Sequence, residues 1–227
     1  LVVKQYTQLV KSRDSGDFGA FTVVPAVTPA PAIILLQEIF GVNAVVRRIA
    51  QQFAEKGYLV LAPDLYWRLR PGTEFDYTRE GMQAAREFLE RFDEGSGVRD
   101  IRDTAELARS MPESNGKVGA VGFCLGGKLA YKMAVEGGVD AAAGFYGVGI
   151  ESELVAPDQL HCPLQLHFAG ADRYVPPAAV AAITEALSGA ADIFVYEDAD
   201  HAFFNEVTTR MRQPSAWHVW SSSSPRR

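Results

Sequence analysis

Lys117-Val118-Gly119-Ala120-Val121-Gly122-Phe123-Cys124-Leu125-Gly126-Gly127-Lys128 is the stretch from which the fold of this chain is read. It opens as a small, partly β-branched apolar run, the composition of a buried parallel strand. It closes in Gly-x-Cys-x-Gly and passes into Lys128-Leu129-Ala130-Tyr131-Lys132-Met133-Ala134, a helix-forming sequence. A strand, a sharp turn with glycine on both sides of a nucleophile, and a helix together make a nucleophile elbow, here with a thiol at its tip. The glycines are a steric requirement, because a Cβ beside the tip would collide with the neighbouring strand or helix. The following helix points its N-terminus at the Cys124 sulfur, which favours the thiolate. Taken alone, the pentapeptide also suits a small buried cysteine in a glycine-rich turn.

The flanking sequence repeats the strand–helix alternation. Upstream, Phe18 to Pro25 reads as part of an opening antiparallel edge, and Ala32-Ile33-Ile34-Leu35-Leu36 as a fully buried strand. Asn43 caps a helix whose apolar positions Val45, Val46, Ile49 and Phe53 recur at helical spacing up to Gly57. Tyr58 to Ala62 is the next strand, and 64–77 a loop carrying Tyr66, Trp67, Arg68 and Arg70. Helices are expected over roughly 78–93 and 98–111, joined through Gly95-Ser96-Gly97. After the elbow come strands at 141–146 and 164–168, a helix from Val180 to Leu187, and a last strand at Ile193 to Tyr196. This order predicts an α/β protein of the α/β-hydrolase fold, a mostly parallel sheet with helices on both faces. One domain is expected over 1–211, with an irregular tail at 212–227 that contains Ser221-Ser222-Ser223-Ser224-Pro225-Arg226-Arg227.

A net charge of −6 without a basic block argues against nucleic acid or an anionic membrane as the main partner. No run of about 18 apolar residues is present, so no transmembrane helix is expected. Two cysteines do not make a disulfide framework, which favours a reducing cytoplasm. No His/Cys cluster has ligand spacing, so neither metal nor cofactor is expected.

Chemistry in open α/β sheets gathers at the C-terminal ends of the strands. Glu38, Cys124, Asp172 and His201 stand at such ends, and the last three run in the chain order nucleophile, acid, histidine. In that arrangement His201 takes the Cys124 proton and later protonates the leaving oxygen, while Asp172 fixes the imidazole tautomer. Each alone admits a plainer role: Asp172 as a cap for the following segment, His201 as a loop histidine. His167 and Cys162 read as structural, one inside a strand and the other just before it. Tyr66, Trp67, Tyr146 and Phe203 are candidate pocket walls.

The chain resembles the dienelactone hydrolase (carboxymethylenebutenolidase) family in Gln37-Glu38-Ile39-Phe40-Gly41, Ala62-Pro63-Asp64-Leu65-Tyr66, Gly122-Phe123-Cys124-Leu125-Gly126-Gly127, Phe145-Tyr146-Gly147-Val148-Gly149, Gly170-Ala171-Asp172 and Ala199-Asp200-His201-Ala202-Phe203. The resemblance implies a Cys124–His201–Asp172 triad, a Glu38 that contacts the resting thiol and helps to activate it, and an oxyanion hole from the N–H groups of Leu125 and Ile39. Of these donors, Leu125 also follows from elbow geometry. Two departures concern the substrate: the family's arginine four residues after the histidine is Asn205 here, and a second substrate-binding arginine has only Arg79 and Arg86 as candidates. The closing amphipathic helix is also missing from the sequence.

The expectation is therefore a hydrolase that opens a lactone or carboxylic ester through a thioester on Cys124, acting on a small molecule as a monomer or small homo-oligomer. Two alternatives are a thioesterase or broad carboxylesterase on the same fold, and a non-enzymatic binding protein that keeps the elbow.

Overall fold

A computed structural model describes residues 4–14 and 16–204. Its chain opens with a hairpin, β1 (Lys4–Lys11) and β2 (Asp17–Val24), antiparallel with Lys4 opposite Val24. The buried runs read from the sequence become β3 (Ala30–Leu36), β4 (Leu59–Pro63), β5 (Ser114–Phe123), β6 (Ala141–Phe145), β7 (Leu164–Ala169) and β8 (Ala191–Tyr196). They form one sheet in the order β1-β2-β4-β3-β5-β6-β7-β8. The hairpin meets β4 antiparallel, and every pair from β4 to β8 is parallel. The expected α/β-hydrolase architecture is what the chain adopts.

Alternation along β3 shows why its run is apolar on both sides. Ile33 and Leu35 pack with Val45, Val46, Ile49 and Phe53 of α1 (Ala44–Glu55). Ile34 and Leu36 face the opposite way, onto Val98, Ile101 and Ala105 of α3 (Glu94–Ser110) and Leu129 and Met133 of α4 (Leu125–Glu136). A strand covered on both faces has no solvent side to mark with polar residues. α5 (Pro177–Ala186) covers Leu164, Leu166 and Phe168 of β7 through Val180 and Ile183, beginning three residues before the helix expected from the sequence.

The break expected at Gly95-Ser96-Gly97 is not there. α2 (Arg79–Arg91) ends at Phe92, and α3 begins at Glu94, capped by Asp93 through the Ser96 N–H at 2.9 Å. The glycines occupy the first turn of α3, where a methyl on Gly97 would overlap the Phe92 ring. Close packing, and not a linker, accounts for them. The loop after β4 is irregular as expected. Asp64 closes it by accepting the Tyr66 and Gly72 N–H groups at 3.0 and 2.7 Å. The expected tail, 212–227, lies outside the described residues.

Candidate active site

The turn after β5 holds Cys124 at φ +53° and ψ −112°, outside the regions that side chains prefer. Three close approaches hold it there. A methyl on Gly122 would overlap the Gly126 carbonyl, one on Gly126 would lie 2.7 Å from the Gln37 oxygen, and one on Gly127 2.5 Å from the Phe145 oxygen. The elbow is therefore wedged between the ends of β3 and β6. The Gly126 N–H donates to Gln37 at 3.0 Å and the Cys124 N–H to Phe145 at 3.0 Å, completing the clamp.

Two loops at the far side of the sheet bring Asp172 and His201 together. The Ala171 N–H donates to the Ala199 carbonyl at 2.9 Å and the Gly170 N–H to Tyr196 at 2.8 Å, which ties the loop after β7 to the loop after β8. His201 Nδ1 lies 2.7 Å from Asp172 Oδ2. The carboxylate accepts there, so the proton sits on Nδ1 and Nε2 is left as the basic nitrogen. The other oxygen of Asp172 accepts the Tyr174 N–H at 2.8 Å. One oxygen thus caps the following segment and the other meets the His201 ring.

Glu38, just past β3, is nearly buried, yet both its oxygens have hydroxyl partners: Tyr77 donates at 3.1 Å and Tyr146 faces it at 3.4 Å. Arg47, on the neighbouring helix, is engaged by Glu74 at 2.5 and 2.9 Å.

Cys124, Glu38, His201, Leu125 and Ile39 all line one cavity of about 640 Å³, whose wall also includes Phe40, Tyr77, Met82, Arg86, Leu89 and Tyr174. Burial first, and then the charge of Glu38, pushes the Cys124 thiol well above its usual range; the Leu125 N–H opposes this. The N–H at the helix N-terminus does favour the thiolate, as expected from the sequence. One N–H does not offset desolvation and a neighbouring carboxylate.

Several other expected contributors stand behind the wall. Tyr66 is fully buried and donates its hydroxyl to the Ile39 carbonyl at 3.1 Å, so it braces the loop that carries Ile39. Tyr146 is buried beneath Glu38, and Phe203 packs on Tyr146 and Tyr196 with ring centroids 5.2 and 4.9 Å apart. None of the three is among the cavity-lining residues. Arg79 begins α2 on the exposed side, whereas Arg86, two turns on, reaches the cavity. Asn205 lies outside the described residues. Trp67 and Arg68 are taken up by buried Asp100, the indole N–H at 2.8 Å, and Arg70 lies over the Phe88 ring. His167 is stacked between Phe145 and Phe194 and bonded to the Tyr196 hydroxyl at 3.0 Å, and Cys162 is partly buried against the core.

Sequence reasoning missed Tyr77, Met82, Leu89, Arg173 and Tyr174. The last two adjoin Asp172 and could have been included by adjacency. Tyr77 reaches Glu38 only because 73–75 pairs with 40–41, with the Phe75 N–H on the Phe40 carbonyl at 3.0 Å, and no pattern in the sequence marks that pairing. Among the described residues, no group of three or more His, Cys, Asp or Glu could hold a metal ion, and no helix is long and apolar enough to cross a membrane.

The profile of the Dienelactone hydrolase family matches residues 18–223. A carboxymethylenebutenolidase of Pseudomonas putida is 41% identical over 197 residues, covering 86% of this chain and 84% of that protein. Another, of Pseudomonas sp. (strain P51), is 37% identical over 196 residues, covering 86% and 82%. A crystal structure from Klebsiella pneumoniae subsp. pneumoniae MGH 78578 that carries the family's name superposes with a TM-score of 0.82 at 24% identity, covering 97% of this chain and 96% of that one.

Proposed function

Since the chain belongs to the dienelactone hydrolase family, we propose that it opens a lactone or carboxylic ester through a thioester on Cys124, with the His201–Asp172 pair and Glu38 handling protons. The observation that carries this reading is one cavity lined at once by the strained elbow cysteine, by Glu38 and by a histidine held 2.7 Å from a buried aspartate.

At rest the thiol keeps its proton, because burial and the Glu38 charge both oppose a thiolate. Once a substrate carbonyl is seated over the sulfur, Glu38 accepts that proton, which removes the opposing charge as the thiolate forms. Sulfur attacks the carbonyl carbon, a C–S bond forms, and the oxygen becomes an oxyanion facing the N–H groups of Leu125 and Ile39. The intermediate collapses with cleavage of the ring or ester C–O bond. The proton held by Glu38 returns, by way of His201, to the leaving enol or alcohol oxygen. In the second half His201 Nε2 takes a proton from water, hydroxide attacks the thioester, and the departing sulfur recovers its proton from the imidazolium.

Mass spectrometry after quenching with a lactone or ester substrate should find an acyl adduct on Cys124. Cys124→Ala should fold and show no turnover, while Cys162→Ala turns over normally. Glu38→Gln should slow the acylation phase of a single turnover by about tenfold to a hundredfold, the range of a lost proton acceptor. Normal turnover by Cys124→Ala overturns the nucleophile; an unchanged acylation phase in Glu38→Gln returns Glu38 to a structural role.

A further inference from the structure

Asn43 has only one amide orientation open to it. Its Oδ1 accepts the Val45 and Val46 N–H groups at 3.1 and 3.2 Å as the cap of α1. Its Nδ2, which can only donate, therefore faces the Tyr77 hydroxyl at 3.3 Å and the Phe75 carbonyl at 3.4 Å. A phenolic oxygen that receives one proton turns its own O–H elsewhere, and Glu38 Oε2 lies 3.1 Å away. The direction of the chain is thus fixed, from the Asn43 amide to Tyr77 and from Tyr77 to Glu38. The Tyr77 ring is held on Phe40 with centroids 4.4 Å apart, so the hydroxyl does not drift.

Resting on the reading of Glu38 as acceptor of the thiol proton, we propose that Tyr77, oriented by Asn43, is the positioning residue that holds Glu38 as a carboxylate beside Cys124. It thereby sets how readily Glu38 takes that proton. A hydrogen bond donated to a carboxylate favours the charged form over the neutral acid. Glu38 is faced by Cys124 from the elbow, by Tyr146 from the end of β6 and by Tyr77 from the loop before α2. Tyr66, Asp172 and His201 share the surroundings of the same sulfur, and Arg86, Glu94 and Lys128 stand on the cavity wall.

Tyr77→Phe removes the hydroxyl and keeps the ring. The acid limb of the kcat/KM pH profile should move up by about one pH unit, the weight of one hydrogen bond to a charge. The loss of rate should be severe at acid pH and slight on the plateau, whereas a packing defect would lower the rate by one factor at every pH. Asn43→Ser keeps an acceptor for the α1 cap and withdraws the amide donor. It should shift the limb the same way by less, and add nothing to Tyr77→Phe in the double variant. Glu38→Gln assigns the limb, which should flatten when the carboxylate is gone.

If Tyr77→Phe leaves the limb in place while Glu38→Gln still slows acylation, Tyr77 is only a packing residue and the inference fails alone. If Glu38→Gln leaves acylation unchanged, the role given to Glu38 fails first and takes the inference with it. A shift in Tyr77→Phe without any in Asn43→Ser overturns the part given to Asn43.

Discussion

Asp172 and Cys124 show how much a single residue's surroundings decide. Asp172 is buried with both oxygens occupied, one by the Tyr174 N–H and the other by the His201 ring. Cys124 has the reverse situation: its thiol is pushed up by burial and by Glu38, so the sulfur is a poor nucleophile until something changes. The sign is definite. A thiol raised in the folded protein is less ionised than a free thiol at any pH below its folded value. Thiolate abundance falls tenfold for every pH unit by which the thiol is raised. Iodoacetamide at pH 8 should therefore alkylate Cys124 at least about tenfold more slowly in the folded enzyme than in the urea-unfolded chain. Glu38→Gln should narrow that gap by removing the second cause. Peptide mapping is needed to separate Cys162, which burial and Asp140 push up to about 11. Equal rates in the folded and unfolded chains would show that the thiol is not suppressed.

At the scale of elements, β7 and β8 do more than fill the sheet. His167 on β7 bonds the Tyr196 hydroxyl, Tyr196 packs on Phe203, and its carbonyl accepts the Ala199 N–H at 3.0 Å at the start of the turn that carries His201. Burial pulls His167 down to about 4. A depressed histidine supports the fold fully above its unfolded value near 6.5, and that support is lost as pH falls towards 4. The loss amounts to about 3 kcal/mol for the whole interval. Urea midpoints measured between pH 7 and 4 should fall steeply in the wild type and less steeply in His167→Gln, which has no ring to charge. Parallel slopes would assign the acid sensitivity elsewhere. The strands and the Asn43 cap were legible in the sequence because period and capping chemistry are local. The α2–α3 junction was not, because Gly97 signals a break until the Phe92 ring it accommodates is seen in space. Among the candidate-site residues, Cys124, Asp172, His201 and Glu38 were singled out from strand ends, and the fold brings them together. Tyr66, Tyr146 and Phe203, expected as walls, stand behind the lining, because a sequence does not say which side of a cavity an aromatic ring occupies.

For the molecule as a whole, the cavity lies where β3 and β5 run side by side, Leu36 opposite Gly122, and the chain departs to opposite faces of the sheet. Such a switch point leaves a crevice beyond the strand ends. Of the arginines considered for substrate charge, Arg86 alone lines it, while cavity-lining Lys128 is occupied by Glu94 and Glu153 at 2.9 and 2.7 Å. Arg86→Leu should lower kcat/KM for an anionic lactone relative to a neutral ester by about tenfold, the worth of one charge-assisted bond. An unchanged ratio would exclude Arg86 as the anchor. Cys124, Tyr146 and Ala202 are the non-glycine residues at positive φ among those described, and all three are at or beside this crevice. At Cys124, whose side chain is small, the backbone would relax if the side chain were given up, whereas fully buried Tyr146 would lose more in packing than the backbone gained. Under the thioester mechanism proposed for Cys124, a population of variants selected only for survival at high temperature would therefore gain by giving up that residue, and would drift towards durable proteins that no longer turn over substrate. Selection for heat resistance and retention of catalysis would have to be imposed together.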